Sequence, residues 1–225
     1  MRAKRAEHYV SLGRPCIVDG RFGFSKGDTA METGRLEAFS DGVIAVIITI
    51  MVLDLKVPQG ADLHALGADL PTFVAYILSF VNVGIYWNNH HHLLHVTPRI
   101  DGRSMWANLH LLFWLSLIPL TTAWAGANRL AVIPTAAYGF VLMMAAVAYT
   151  LLQSAIIAYN GKDSQLAQAL GNDWKGKVSL ASYVVSIPMA FIAPLLSATI
   201  FVAVAALWFI PDRRIERVTS IEEGG

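Results

Sequence analysis

The chain is short of charge and nearly without cysteine. Only 15 % of its 225 residues are Asp, Glu, Lys or Arg, against about 25 % in an ordinary soluble domain. Its single cysteine, Cys16, excludes an internal disulfide and reads as a free cytosolic thiol. There is no Cys-x-x-Cys pair and no Gly-rich phosphate loop. A formal net charge of +1 gives no electrostatic reason for nucleic-acid binding.

What the chain has instead is long apolar stretches. Hydrophobic residues make up 55 % of it. A helix needs roughly 20 apolar residues to cross a hydrocarbon core. The pattern predicts an all-α integral membrane protein with spans at about 35–55, 70–94, 104–124 and 130–159. Asp54 and Lys56 end the first, with Pro58 and Gly60 as breakers. Pro71 suits the first turn of the second, and Pro119 predicts a kink in the third. The last uncharged stretch, Val178 to Ile210, would be about 50 Å long as one helix, too much for one crossing. Pro194 splits it into spans five and six, 178–193 and 195–210.

Charge placement tests the count of six. With six crossings, 15 of the 17 Lys and Arg fall on one side; only Lys56 and Arg129 fall on the other. Cytoplasmic loops carry the Lys/Arg excess, so both termini are expected in the cytoplasm, in a plasma or inner membrane. Residues 1–34 lack the apolar core of a signal peptide and are expected to form a mobile cytosolic arm. Residues 212–225 are expected to be a cytosolic tail, leaving 35–211 as the membrane domain.

Polar residues inside the spans mark work to be done. Ser40 and Asp41 head an apolar run from Gly42 to Leu53. An ionised carboxylate in hydrocarbon is costly, so Asp41 must face protein or water. Either it anchors the helix start, with Ser40 as cap, or it is a hydrogen-bonding hub between helices. Val46, Thr49, Ile50 and Leu53 recur at spacings of three and four and share one helix face. Such a stripe serves plain packing, lipid contact, or an apolar pore lining that gates by dewetting. His91 and His95 have the i, i+4 spacing of metal ligands, but too few further ligands exist for a closed site, so no metal is expected. Histidines hydrogen-bonded to Asp41 or Ser40 fit better, with Asn82 and Asn108 as interhelical bonders. Trp87, Trp106, Trp124 and Trp208 fit interfacial belts. The chain is read as a non-enzyme. No Thr-Val-Gly-Tyr-Gly carbonyl filter is present.

The run Arg35-x-x-x-Phe39-Ser40-Asp41 followed by Gly-Val-Ile-Ala-Val-Ile-Ile-Thr resembles the first-helix signature of the transmembrane-protein-175 family. These are lysosomal potassium channels and their prokaryotic relatives. Ser79-Phe80 and Gly84-Ile85-Tyr86-Trp87-Asn88-Asn89-His90-His91 resemble its second helix, and Trp106-x-Asn108-Leu109 through Pro119 its third. Ser186-Ile187-Pro188-Met189-Ala190-Phe191-Ile192 is similar to its fifth. The resemblance implies a homotetramer of six-helix subunits around a central pore lined by helix one. By position it puts the apolar constriction at Val46, with Thr49, Ile50 and Leu53 along the same face. Many members carry the larger Ile or Leu there. It also implies a structural hydrogen-bond motif of Arg35, Phe39, Ser40 and Asp41 tied to Trp87, His91 and Asn108. The expected activity is passive conduction of monovalent cations with modest preference for potassium over sodium. Potassium is the permeant ion, and no cofactor is expected. The partners are further copies of the chain and the lipid bilayer. A proton- or cation-coupled secondary transporter is the alternative, using Asp41 and the histidines as a relay.

Overall fold

In a computed structural model, the described residues are 33–55, 69–161 and 173–209, with residues 57, 60, 63, 67, 164 and 167 between them. The chain divides into units Met1–Ala30 and Met31–Gly225, and all described residues belong to the second. Apart from Thr33 and Gly34, the arm expected over 1–34 lies outside the described residues, as does the tail 212–225.

Among the described residues the regular structure is helical. The elements are α1 (Thr33–Leu53), α2 (Leu70–His95), α3 (Gly102–Ser116), α4 (Ile118–Ala127), α5 (Val132–Asn160), α6 (Trp174–Ile192) and α7 (Pro194–Phe209). Four stretches are long and apolar enough to cross a membrane: α1, α2, α3 with α4, and α5. The helix α7 is a shorter apolar one.

Differences from the expected spans have local causes. The third span, Gly102–Ala127, is interrupted at the single residue Leu117, which keeps a right-handed helical backbone. Pro119 has no N–H for the Leu115 carbonyl, so α3 stops at Ser116 and α4 restarts at Ile118. The interruption sits two residues before the proline. The fifth expected span, α6, starts at Trp174 rather than 178, because Asp173 caps it: its carboxylate accepts from the Gly176 N–H at 2.9 Å. Beside Pro188, Ser197 Oγ donates to the Ser186 carbonyl at 2.9 Å and ties α7 back onto α6.

The long helix α5 is the centre of the bundle, packing on α3, α4, α6 and α7. Its face of Leu142, Ala145, Ala148, Leu152 and Ile156 is fully buried. Small residues set the helix separations. A methyl group at Gly139 would come within 3.1 Å of the Phe201 and Ser186 side chains, which would have to give way, so glycine there eases the close approach of α5 to α6 and α7. At Gly126 an added Cβ would stand 2.8 Å from the Thr72 Cα, which fixes the contact of α4 with α2. By contrast α1 packs mainly on α2, α3 and α4 and lies at the rim of the bundle.

Asp101 caps α3, its Oδ1 accepting from the Ser104 N–H at 2.9 Å and hydroxyl at 2.7 Å. Burial works against its charge, but the Ser104 bonds outweigh this and hold its carboxyl below the usual carboxylate range.

Candidate functional site

The two faces of α1 differ in kind. Leu36, Ser40, Ile44, Ile47 and Met51, at steps of three and four, point into the bundle and are buried. The opposite face is open. Val46 is 55 % exposed, Ile50 46 % and Leu53 80 %, with Thr49 also exposed between them. The Thr49 hydroxyl donates to the Val46 carbonyl at 2.9 Å. Its hydrogen is thus turned to the backbone and its oxygen lone pairs remain. A groove of about 780 Å³ runs along this face, between Phe39, Val46, Ile50 and Asp54 on one side and Ser116, Pro119 and Leu120 on the other. The interrupted third span therefore borders the open face of α1.

The buried face carries the polar fasteners. Asn108 Nδ2 donates to Ser40 Oγ at 2.9 Å, and Ser40 Oγ donates to the Leu36 carbonyl at 2.8 Å. With its amide N turned to Ser40, the Asn108 oxygen faces His90 Nε2 at 2.7 Å, so the ring donates there. Ser40, His90 and Asn108 are each 0 % exposed and tie α1, α2 and α3 at one level. His90 Nδ1 has no hydrogen-bond partner among the described residues.

A second set of contacts sets the register of α1 against α2. Trp87 Nε1 donates to Asp41 Oδ1 at 3.0 Å. One turn away on each helix, His91 Nδ1 meets Glu37 Oε1 at 2.7 Å. Beyond it the Thr33 hydroxyl donates to the Thr97 carbonyl at 3.0 Å. Glu37 and Asp41 step by four on α1 as His91 and Trp87 step by four in the opposite sense on α2, the antiparallel pattern, and Thr97 lies just past the end of α2. The Trp87, His91 and His95 rings stack in a row with centroids 6.1 Å apart at each step.

Of the residues in the expected motif, Ser40 and Asn108 meet directly, as do Asp41 and Trp87. His91 goes to Glu37, not to Asp41 or Ser40. The histidine in the buried network is its neighbour His90. Arg35 and Phe39 lie exposed and outside this network. His90 and Glu37 are the residues that sequence reasoning misses. In the structure the buried positions of α2 are 79, 82, 83, 90, 93 and 94, a helical recurrence that includes 90 and leaves out 91. Among the described residues no three His, Cys, Asp or Glu gather where they would hold a metal ion.

Fold and site together define a multi-pass, all-helical membrane protein whose first helix is fastened on one face and open on the other. Comparison with known proteins narrows this class. The family model described as endosomal/lysosomal potassium channel TMEM175 matches residues 35–119. A potassium channel of Chryseobacterium sp. (strain P1-3) is 51 % identical over 187 residues, covering 83 % of this chain and 97 % of that one. The human endosomal/lysosomal proton channel TMEM175 is 39 % identical over 92 residues, 35 % of this chain but only 18 % of the human one. Among solved structures, that of a lysosomal potassium-selective channel TMEM175 homolog from Chamaesiphon minutus superposes with a TM-score of 0.71 at 26 % identity, covering 79 % of this chain and 96 % of that one. The chain belongs to the TMEM175 family.

Proposed function

We propose that this chain is a potassium-preferring cation channel of six spans per subunit, assembled from four copies with the open face of α1 around the axis. The observation that carries the reading is the sidedness of α1: one face is fastened by polar contacts, while Val46, Thr49, Ile50 and Leu53 stay uncovered by their own chain. An uncovered apolar face alone also fits lipid. Two further points favour an aqueous axis: Asp54 lies at one end of the bordering groove, and a relative matched over 97 % of its length is named a potassium channel.

On this reading Val46 forms the constriction. Its methyl groups offer no oxygen to a passing ion, so the ion sheds water without replacement. Potassium holds its hydration less tightly than sodium and loses less there. Three residues on, the Thr49 oxygen, its hydrogen already given to the backbone, offers lone pairs that partly replace the lost water. Conduction is passive and needs no cofactor. Both termini are cytoplasmic, in a plasma or inner membrane, because that arrangement puts nearly all Lys and Arg inside.

Reconstituted protein under opposed potassium and sodium gradients tests this. We expect ohmic single-channel currents with a reversal potential displaced toward potassium. Val46→Asn, which lines the ring with amides, should raise conductance several-fold and pull the reversal potential toward zero. Currents that saturate as a carrier's do would overturn the channel reading. An unchanged Val46→Asn channel would remove Val46 from the constriction.

A further inference from the structure

Away from α1, at the end of the bundle where α4 stops and α2, α5 and α7 begin, a second groove of about 390 Å³ opens sideways. Its volume is in the range of small-molecule sites, about 300–1,000 Å³. Its walls are apolar and continue into the outer surface: Val74, Leu195 and Val202 line it and are each more than half exposed. In a membrane protein the medium outside such walls is acyl chain.

The floor is different. Ser79 Oγ lies 2.6 Å from Thr122 Oγ1 and 2.9 Å from the Tyr138 hydroxyl, and Thr122 Oγ1 donates to the Ile118 carbonyl at 2.7 Å, so all three are satisfied. Thr135 also lines the groove, is 1 % exposed, and its hydroxyl has no partner among the described residues. A buried hydroxyl left unpaired in a membrane is unfavourable. It sits in the first turn of α5, the depth at which the spans end and lipid esters lie.

The rim adds two observations. Leu130 lines the groove in a left-handed backbone conformation (φ 57°), and its chain neighbour Arg129 is left-handed too (φ 50°). The pair closes the C-terminus of α4, the Arg129 N–H donating to the Gly126 carbonyl at 3.1 Å and the Leu130 N–H to the Ala125 carbonyl at 2.8 Å, which holds the rim in place. Arg129 is exposed beside this rim, one of only two basic residues that the six-span arrangement puts on this side. A guanidinium at that level matches a lipid phosphate.

We propose that this groove seats one acyl chain of an anionic phospholipid, with its ester carbonyl accepting from the Thr135 hydroxyl and its phosphate on Arg129. The site needs no particular arrangement of α1 and so stands apart from the conduction reading. The probe is phosphatidylglycerol carrying a photoreactive diazirine on one acyl chain, in phosphatidylcholine vesicles holding the full-length protein. Illumination followed by peptide mass spectrometry should place the label chiefly on the segments containing Val74 and Val202. Ala198→Phe, which fills the groove, should abolish this labelling. Arg129→Gln should lower it several-fold, and more than it lowers labelling by a diazirine phosphatidylcholine. Thr135→Val, close to isosteric, should lower it without changing the elution of the solubilised protein, which guards against misfolding of the phenylalanine variant. Label spread evenly over all lipid-facing segments, or the same label in every variant, would overturn the proposal. So would a chain-to-chain disulfide formed by Val202→Cys in the membrane, which would show that another copy covers the groove.

Discussion

The two faces of α1 make opposite use of polar groups. On the buried face Ser40, through Asn108, reaches His90, so three helices share one chain of hydrogen bonds. On the open face the Thr49 hydroxyl bonds only within its own helix, and its neighbours are hydrocarbon. The difference teaches that fastening and exposure belong together. A helix at the rim of a bundle can present an apolar stripe at a fixed angle only if its other face is held in register. The contacts of Glu37 and Asp41 with α2, and of Thr33 with Thr97 just past its end, hold that register.

The comparison breaks first where the buried set is opened. Asn108→Leu takes a donor from Ser40, which keeps its bond to the Leu36 carbonyl, and strips the His90 ring of its hydrogen-bond partner; a group left unpaired in the interior costs about 1–3 kcal/mol. The melting temperature of the solubilised protein should fall further than in Asp101→Ala, Trp87→Phe or Thr49→Val, and conduction should fall with it. A variant as stable as the parent would show that the set does not hold α1. Next comes Asp101→Ala at the cap of α3, expected to cost about 1 kcal/mol in a thermal melt. The folded-state pKa of Asp101 is depressed, so its contribution is complete above the ordinary aspartate pKa. It fades as pH falls through the lower folded-state value, so parent and variant should melt alike only in strong acid. Trp87→Phe removes one interhelical bond, for which about 0.6 kcal/mol is the average in membrane proteins. A small drop in melting temperature is expected, and no drop would make the Asp41 contact incidental. Smallest in stability, and sharpest for the contrast, is Thr49→Val on the open face. It should leave the melt unchanged yet reduce the preference for potassium in bi-ionic recordings. A change in the melt with none in selectivity would invert the assignment of the two faces.

Much of the fold is legible in the sequence because lipid simplifies the code. Long uncharged runs locate the spans, and proline and charge locate their ends. Where the reading fails, the cause is a local hydrogen bond. Periodicity does not reveal that Asp173 caps α6 early. At the site, Ser40, Asp41, Trp87 and Asn108 stand out in the sequence as polar groups in apolar surroundings. Sequence alone does not decide between His90 and His91, which are adjacent, chemically identical and separated only by the 100° turn that buries one and leaves the other on Glu37. The groove near Thr135 is not legible at all, since it is made by four helices that meet at one end of the bundle.

The most direct test of the account asks what medium bathes the open face of α1. With Cys16 replaced by serine, Ile50→Cys and Leu53→Cys are introduced singly, with buried Ile44→Cys as control, and a charged, membrane-impermeant thiol reagent is applied during recording. Such a reagent attacks the thiolate, which forms in water and not among acyl chains. The account predicts rapid block of current at positions 50 and 53 and none at 44. Currents untouched at both 50 and 53, from a channel that still conducts, would mean that this face looks into lipid.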